Sequence, residues 1–143
     1  MTARRTAFVT GAAYGIGAAS ALALAGDGCD VAVSELKPDD LADVLTAFGH
    51  LDVLVNNAGV PLTCPAVEVT EAEWNAVIDV NLKGVFFTSQ QMGRHLIVSG
   101  RGGAIVSIAS THGVIGIADR SIYGISKAGD SLVVSPSLRQ AGA

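Results

Sequence analysis

The chain has 143 residues, of which half are hydrophobic and 15% are charged, and its formal net charge is −4. This length fits one domain, residues 1–143, with a sizeable core, and the acidic balance argues against nucleic acid as a partner. No apolar run approaches the roughly 18 residues that cross a bilayer, which predicts no membrane partner. Cys29 and Cys64 are isolated, so we expect no metal site and a reduced, cytoplasmic protein.

Apolar segments with strand and helix patterns alternate along the sequence. In chain order they predict a strand Thr6–Val9, a helix Gly15–Gly26, a strand Asp30–Ser34, a helix from Pro38 to about Phe48, a strand Leu51–Val55, a long helical region from Glu71 to about Val98 that is broken near Asn81–Gly84, a strand Ala104–Ile108 and a last helix beginning near Tyr123. This alternation predicts an α/β fold with a Rossmann-like, doubly wound parallel sheet of about four strands in three α/β/α layers. Ligands of such a sheet bind at the carboxyl ends of its strands.

Three glycines follow the first predicted strand, at Gly11, Gly15 and Gly17. A glycine turn between a strand and a helix lets the backbone approach a pyrophosphate, and the helix N-terminus offers free N–H groups. Taken alone, the same glycines fit a merely flexible turn equally well.

Tyr123 and Lys127 lie four residues apart, and Ser110 lies thirteen residues before Tyr123. Residues four apart on a helix share a face, and a neighbouring cation favours the phenolate form of a tyrosine. The phenol could therefore act as an acid or base. A surface pair on an ordinary helix would show the same spacing.

Four motifs in one order give the chain a specific resemblance. They are Thr10–Gly17, Asn56-Asn57-Ala58-Gly59, Asp79-Val80-Asn81-Leu82-Lys83-Gly84 and the Ser110, Tyr123 and Lys127 trio. Together they resemble the short-chain dehydrogenase/reductase family over residues 6–130. The resemblance implies an enzyme that moves a hydride between a nicotinamide cofactor and a small-molecule secondary alcohol or carbonyl compound.

The resemblance also assigns roles to residues. Tyr123 would be the general acid/base, Ser110 would hydrogen-bond the substrate oxygen, and Lys127 would hold the nicotinamide ribose. Asn81 would hold a water in a proton relay, or alternatively satisfy backbone groups at a helix kink. The residues implied in cofactor binding are Gly11, Tyr14, Gly15, Ile16, Gly17, Glu35, Asn57, Ala58, Gly59, Tyr123 and Lys127.

Glu35 follows the second predicted strand. An acidic group there accepts hydrogen bonds from the adenosine ribose and repels a 2′-phosphate, which favours NAD over NADP, although Lys37 is close. Asn56 is expected to tie neighbouring strands together.

The chain departs from the family pattern in two places. Between Glu35 and Leu51 there is room for one helix, so one βα unit is expected to be absent, and Asp43 is not given that unit's role at the adenine. Only sixteen residues follow Lys127, and Pro136 interrupts the expected helix. The family's later strands are therefore expected to be missing, which would leave apolar surface uncovered. That surface predicts a homo-oligomer or association through an exposed sheet edge.

Three functional hypotheses remain open. The chain could be a working oxidoreductase, a module that binds nucleotide without turnover, or a truncated product that needs a partner chain. The segment from Ser110 to Ser121 resembles family members that act on sugars or polyols. A hydrolase is disfavoured, although His112 lies two residues after Ser110. The segment Gly124–Ala128 nearly matches the Gly-x-Ser-x-Gly pattern, but it lacks the last glycine and the strand–turn–helix context.

Overall fold

The structure, a computed structural model, describes residues 4–35 and 40–133. Its elements are β1 (Thr6–Thr10), α1 (Gly15–Gly26), β2 (Asp30–Ser34), α2 (Asp40–Phe48), β3 (Val53–Asn56), α3 (Glu71–Ile78), a π-helical segment (Asp79–Gly84), α4 (Val85–Ser99), β4 (Ala104–Ser107), a 3₁₀ turn (Thr111–Gly113) and α5 (Ser121–Val133). Pro38, Lys37 and Pro136 lie outside the described residues.

The four strands form one sheet in the order β2-β1-β3-β4. β1 pairs in parallel with β2 along its whole length and with β3 through Ala7, Phe8 and Val9. Helices connect the successive strands, as parallel strand pairs require. The prediction of a Rossmann-like α/β fold is confirmed.

Several element boundaries differ from the sequence prediction by one or two residues, among them the starts of β3 and α5. β3 begins at Val53 rather than Leu51, since the Leu51 N–H donates to Nε2 of His95 at 3.2 Å. α5 begins at Ser121 rather than near Tyr123, and the Gly124 N–H already donates to the Arg120 carbonyl at 2.8 Å.

The chain divides into two compact units, which we describe separately. Unit 1 comprises Met1–Ala58 and Thr88–Val106, and unit 2 comprises Gly59–Phe87 and Ser107–Ala143. That these residues act as a single domain stays a prediction.

The core of unit 1 is an apolar cluster between the sheet and two helices. Its buried members are Phe8, Leu41, Val44, Leu51, Leu54 and Met92. Burying one such side chain contributes about 1.5–3 kcal/mol, so this cluster is the main source of stability for the strands that carry the glycine turn.

Asp52 is a buried carboxylate that joins three parts of unit 1. Its Oδ2 accepts the Thr6 N–H at 2.9 Å, and its Oδ1 accepts from the Arg101 guanidinium at 3.1 Å. Burial alone would raise the pKa of Asp52, but the Thr6 N–H, the Arg101 guanidinium and His50 together outweigh it and hold the pKa below its ordinary value.

We expect Asp52→Ala to lower the free energy of unfolding by about 2 kcal/mol, because it leaves the buried Thr6 N–H without an acceptor. A carboxyl whose folded pKa is depressed stabilises the fold above its unfolded pKa, near 3.9, and that contribution is lost as pH falls through the folded pKa. Urea unfolding of the wild type between pH 3 and 7 should therefore show an acid-side loss that Asp52→Ala lacks. The exposed Glu68→Gln serves as the matched control, and an unchanged acid-side slope in Asp52→Ala would contradict the assignment.

Candidate active site

The glycine turn after β1 is held by the end of β2. The Gly11 N–H donates to the Ser34 carbonyl at 2.7 Å, and Gly11 has φ +64°, a conformation that favours glycine. A Cβ at Gly11 would lie 2.7 Å from Cα of Ala58. The close approach of these two backbones leaves no room for another residue type.

The start of α1 leaves space where a phosphate could lie. A Cβ at Gly17 would collide with the Gly11 carbonyl and the Asn57 amide, whereas one at Gly15 would meet nothing within 4 Å. No side chain caps the helix N-terminus at Tyr14, so its first N–H groups stay available to an anion. Tyr14 and Ile16 are largely exposed beside this space. These residues fit a dinucleotide pyrophosphate.

Asn57 fixes the glycine turn through its side chain. Its Nδ2 donates to the Gly11 carbonyl at 2.7 Å and to the Thr10 carbonyl at 3.2 Å. The Thr10 hydroxyl in turn accepts the N–H groups of Asn57 and Ala58, each at 3.1 Å. Because both N–H groups are used in this way, Asn57 and Ala58 hold the turn, and any cofactor contact that they make stays a prediction, as it does for Gly59, which belongs to unit 2.

Asn56 is buried at the end of β3, where the sequence suggested a tie between strands. Its Nδ2 donates to the Ser89 hydroxyl on α4 at 2.9 Å. This bond joins β3 to α4. The predicted tie between strands stays a prediction.

Glu35 lies on the wall of an acidic cavity in unit 1. The cavity measures about 410 Å³, and Ser34, Asp40 and Asp43 also line it. Asp43 lies in the helix α2, as its neighbours predicted. It nevertheless lines the same cavity as Glu35. Three carboxylates and no described cation line this space.

In unit 2, His112 joins two residues of the predicted catalytic trio. Its Nδ1 lies 3.2 Å from the Ser110 hydroxyl, which also accepts the His112 N–H at 3.2 Å. The His112 and Tyr123 rings meet edge to face, with centroids 5.5 Å apart. The structure therefore gathers Ser110 and Tyr123 around one imidazole.

Lys127 is buried, and its ammonium group is held by two oxygens of unit 2. It donates to the Ile108 carbonyl at 2.7 Å and to Oδ2 of Asp130 at 3.1 Å. β4 ends at Ser107, one residue before the predicted end at Ile108. Lys127 and Tyr123 lie one turn apart on the same face of α5.

Asp130 is almost fully buried, and its second oxygen, Oδ1, has no hydrogen-bond partner. Burial raises the pKa of Asp130, and the opposing effect of Lys127 only partly offsets it. A buried acid beside the lysine of the trio was not recognised in the sequence, although its spacing of three residues on a predicted helix was visible.

Asn81 lies fully buried in the π-helical segment Asp79–Gly84. Its amide bonds both backbone groups of Val60, at 2.8 and 2.9 Å, and donates to the Ser126 hydroxyl at 3.1 Å. Both amide N–H groups are thereby used, so the side chain joins the loop after β3 to α5. The predicted water relay at Asn81 stays a prediction. The segment does interrupt the long helical region where the sequence indicated a break.

Comparison with known proteins decides the family. A family model described as short chain dehydrogenase matches residues 39–135. The chain belongs to the short-chain dehydrogenase family.

A sequence relative shows how much of a full-length protein the chain matches. The 2-dehydro-3-deoxy-D-gluconate 5-dehydrogenase of Escherichia coli K12 is 36% identical, over 74% of this chain and 53% of that protein. The chain therefore spans about half the length of this relative.

Solved dehydrogenase structures superpose on the fold. Acetoin dehydrogenase from Enterobacter cloacae matches with a TM-score of 0.85 and 28% identity, over 90% of this chain and 64% of that one. An NAD⁺-bound xylitol dehydrogenase matches with a TM-score of 0.80 and 26% identity, over 87% of this chain and 60% of that one.

Two features were searched for in the described part of this family member, namely a membrane-spanning helix and a metal-binding group. None of its helices combines the length and apolar character that a bilayer crossing needs. The same residues contain no group of three or more His, Cys, Asp or Glu side chains placed to hold a metal ion.

Proposed function

We propose that the chain is an NAD(H)-dependent oxidoreductase that interconverts a secondary alcohol and a carbonyl compound, with Tyr123 as general acid/base. The observation that carries this proposal is the grouping of Ser110 and Tyr123 around His112 in a member of this family. The glycine turn of unit 1 supports it, since the space beside Gly15 and the uncapped start of α1 fit a pyrophosphate.

The side chains of unit 2 divide the proton chemistry between them. In the oxidation direction, Tyr123 accepts the proton of the substrate hydroxyl while Ser110 donates a hydrogen bond that fixes the same oxygen. The buried Lys127 cation, on the same face of α5, favours the phenolate that accepts this proton. Bound NAD⁺ would supply the hydride acceptor. The residues that we propose to bind it are Gly11, Tyr14, Gly15, Ile16, Gly17, Glu35, Asn57 and Ala58 in unit 1 and Gly59, Tyr123 and Lys127 in unit 2.

The substrate class that we propose is a sugar or polyol. Support comes from similar proteins whose names specify 2-dehydro-3-deoxy-D-gluconate and xylitol. The chain would act in the cytoplasm as a homo-oligomer, or associate through a sheet edge, and both stay predictions.

The cofactor preference rests on the acidic cavity. Glu35, Asp40 and Asp43 line one space, so a 2′-phosphate there would meet like charge, whereas ribose hydroxyls would find acceptors. This charge distribution supports NAD over NADP.

We expect Glu35→Ser to shift the ratio of kcat/KM for NAD⁺ to that for NADP⁺ toward NADP⁺ by about 10-fold, because it removes a carboxylate that the 2′-phosphate would face. Asp27→Ser, at the C-terminal end of α1, is the matched control and should leave the ratio unchanged. A Glu35→Ser variant whose ratio stays at the wild-type value would contradict the assigned role.

The proposed function itself is tested with the purified chain. NADH binding is followed by fluorescence titration, and turnover is followed by NADH absorbance with NAD⁺ and a panel of polyols, sugars and secondary alcohols. Saturable NADH binding with turnover is the expected result. Binding without turnover would favour a nucleotide-binding module instead, and no binding would overturn both.

A further inference from the structure

The hydroxyl of Ser110 lies at the centre of a small hydrogen-bonded group in unit 2. It caps the 3₁₀ turn Thr111–Gly113 by accepting the His112 backbone N–H at 3.2 Å, and its oxygen also lies 3.2 Å from Nδ1 of the His112 ring. A hydroxyl has one proton and two lone pairs. Because the backbone N–H occupies one lone pair, the other lone pair and the proton determine what Ser110 can offer a substrate.

The hydrogen bond between Ser110 and the His112 ring can run in either direction. If Nδ1 is bare, the Ser110 hydroxyl donates to it, and the serine proton is used. If Nδ1 carries a proton, the ring donates to the second lone pair of Ser110, and the serine proton stays free. Among the described residues no hydrogen bond reaches Nε2, so the bond to Ser110 is the contact in this part of the chain that distinguishes the two tautomers.

The proposed reaction requires one of these two directions. A carbonyl oxygen has no proton and can only accept hydrogen bonds, so Ser110 can bind it only through a free hydroxyl proton. The His112 ring also meets the Tyr123 ring edge to face, with centroids 5.5 Å apart, and both residues are half-buried. This contact restrains rotation of the imidazole, which would otherwise replace Nδ1 by a carbon beside Ser110.

We infer that His112 is a positioning residue, which carries its proton on Nδ1 and thereby leaves the Ser110 proton free for the substrate oxygen. The inference rests on the proposed function and adds to it a residue that acts through Ser110. A hydroxyl oriented in this way before the carbonyl compound binds needs no reorganisation during the reaction.

The tautomer of His112 is measured by ¹⁵N NMR of the free chain at about pH 8, where an ordinary imidazole is neutral. Two other histidines supply reference signals. His95 accepts the Leu51 N–H at Nε2 and therefore carries its proton on Nδ1, whereas Nε2 of His50 lies 3.4 Å from the Asp52 carboxylate and carries its own. The His112 signals, identified by their loss in His112→Phe, should match the pattern of His95. A match to the pattern of His50 would overturn the inference.

A second test measures kcat for carbonyl reduction with NADH in two backgrounds. His112→Phe keeps an aromatic ring against Tyr123 but removes Nδ1, and it should lower kcat by about 3- to 10-fold while NADH affinity stays within about twofold of the wild type. In a Ser110→Ala background the same substitution should change kcat by less than about twofold, because no hydroxyl is left to orient. An equal loss in both backgrounds would overturn the inference while leaving the proposed function intact.

Two further variants separate positioning from packing. His112→Asn brings an amide Nδ2 close to the position of Nδ1, and it should recover most of the kcat that His112→Phe loses. Thr111→Val changes the exposed neighbour in the same turn and is the matched control, with kcat expected within about twofold of the wild type. If His112→Asn were as slow as His112→Phe, donation by Nδ1 would be contradicted.

Failure of the proposed function has a different signature. A chain that reduces no carbonyl compound would refute the proposed function, whereas the ¹⁵N spectrum would still decide whether His112 donates to Ser110. A proton on Nδ1 would then support the inferred direction of the hydrogen bond, and a proton on Nε2 would overturn it.

Discussion

Replacing Tyr123 by Phe should reduce kcat by about 10²- to 10⁴-fold while the affinity for NADH stays within about twofold of the wild type. The substitution removes only the hydroxyl that exchanges a proton with the substrate. General acid–base catalysis by one side chain typically raises the rate by about this factor. The ring that meets His112 edge to face is retained, so packing around the start of α5 is preserved. Steady-state turnover and NADH fluorescence titration on the same preparation measure the two quantities.

Two companion results sharpen this prediction. The melting temperature of Tyr123→Phe should match that of the wild type, because Tyr123 makes no side-chain hydrogen bond in the described part of the chain. Ser110→Ala should lower kcat less, since it removes an orienting hydrogen bond rather than the proton carrier. Full activity in Tyr123→Phe would refute the role of Tyr123 as acid/base.

The second large effect concerns the buried pair of Lys127 and Asp130. Asp130→Leu should lower the free energy of unfolding by about 3 kcal/mol, because it leaves the buried ammonium without an anionic partner. The double variant Lys127→Met/Asp130→Leu should return to within about 1 kcal/mol of the wild type, since neither charge is then buried. Urea unfolding of the wild type, Lys127→Met, Asp130→Leu and the double variant gives the coupling energy between the two side chains.

The pH dependence of the same four proteins has a definite sign. The folded pKa of Asp130 lies above its unfolded value because of burial, so its contribution to stability is present below the unfolded pKa and is lost as pH rises through the folded pKa. The double variant should lack this loss. The exposed pair of Lys83 and Asp79 is the matched control, and Lys83→Met should change stability by less than about 0.5 kcal/mol. Additive effects of Lys127→Met and Asp130→Leu would contradict the pairing.

Residues whose role follows from chain order were predictable from the sequence. Gly11 and Gly17 stand between a strand and a helix, and the structure shows backbone contacts that exclude any Cβ there. A break in the long helical region was predicted near Asn81–Gly84, and the structure has a π-helical segment at Asp79–Gly84. Asn81 and Gly84 are poor interior helix residues. Local sequence was enough in these cases.

Features that depend on tertiary contacts were not predictable. The sequence shows Asp130 three residues after Lys127, but it does not show that both side chains are buried. Burial determines whether an ion pair raises or lowers the free energy of unfolding. Likewise, Asn56 bonds Ser89, thirty-three residues away, and no local pattern specifies that partner.

The three carboxylates around the cavity beside Glu35 have a consequence for ionic strength. At 0.01 M salt their field reaches about 30 Å, and at 0.15 M it falls to about 8 Å. A dinucleotide diffusing toward α1 carries negative phosphates and meets this field in dilute buffer. Added salt screens the repulsion, so titrations in low-salt buffer would underestimate the affinity of this chain for the proposed dinucleotide at physiological ionic strength.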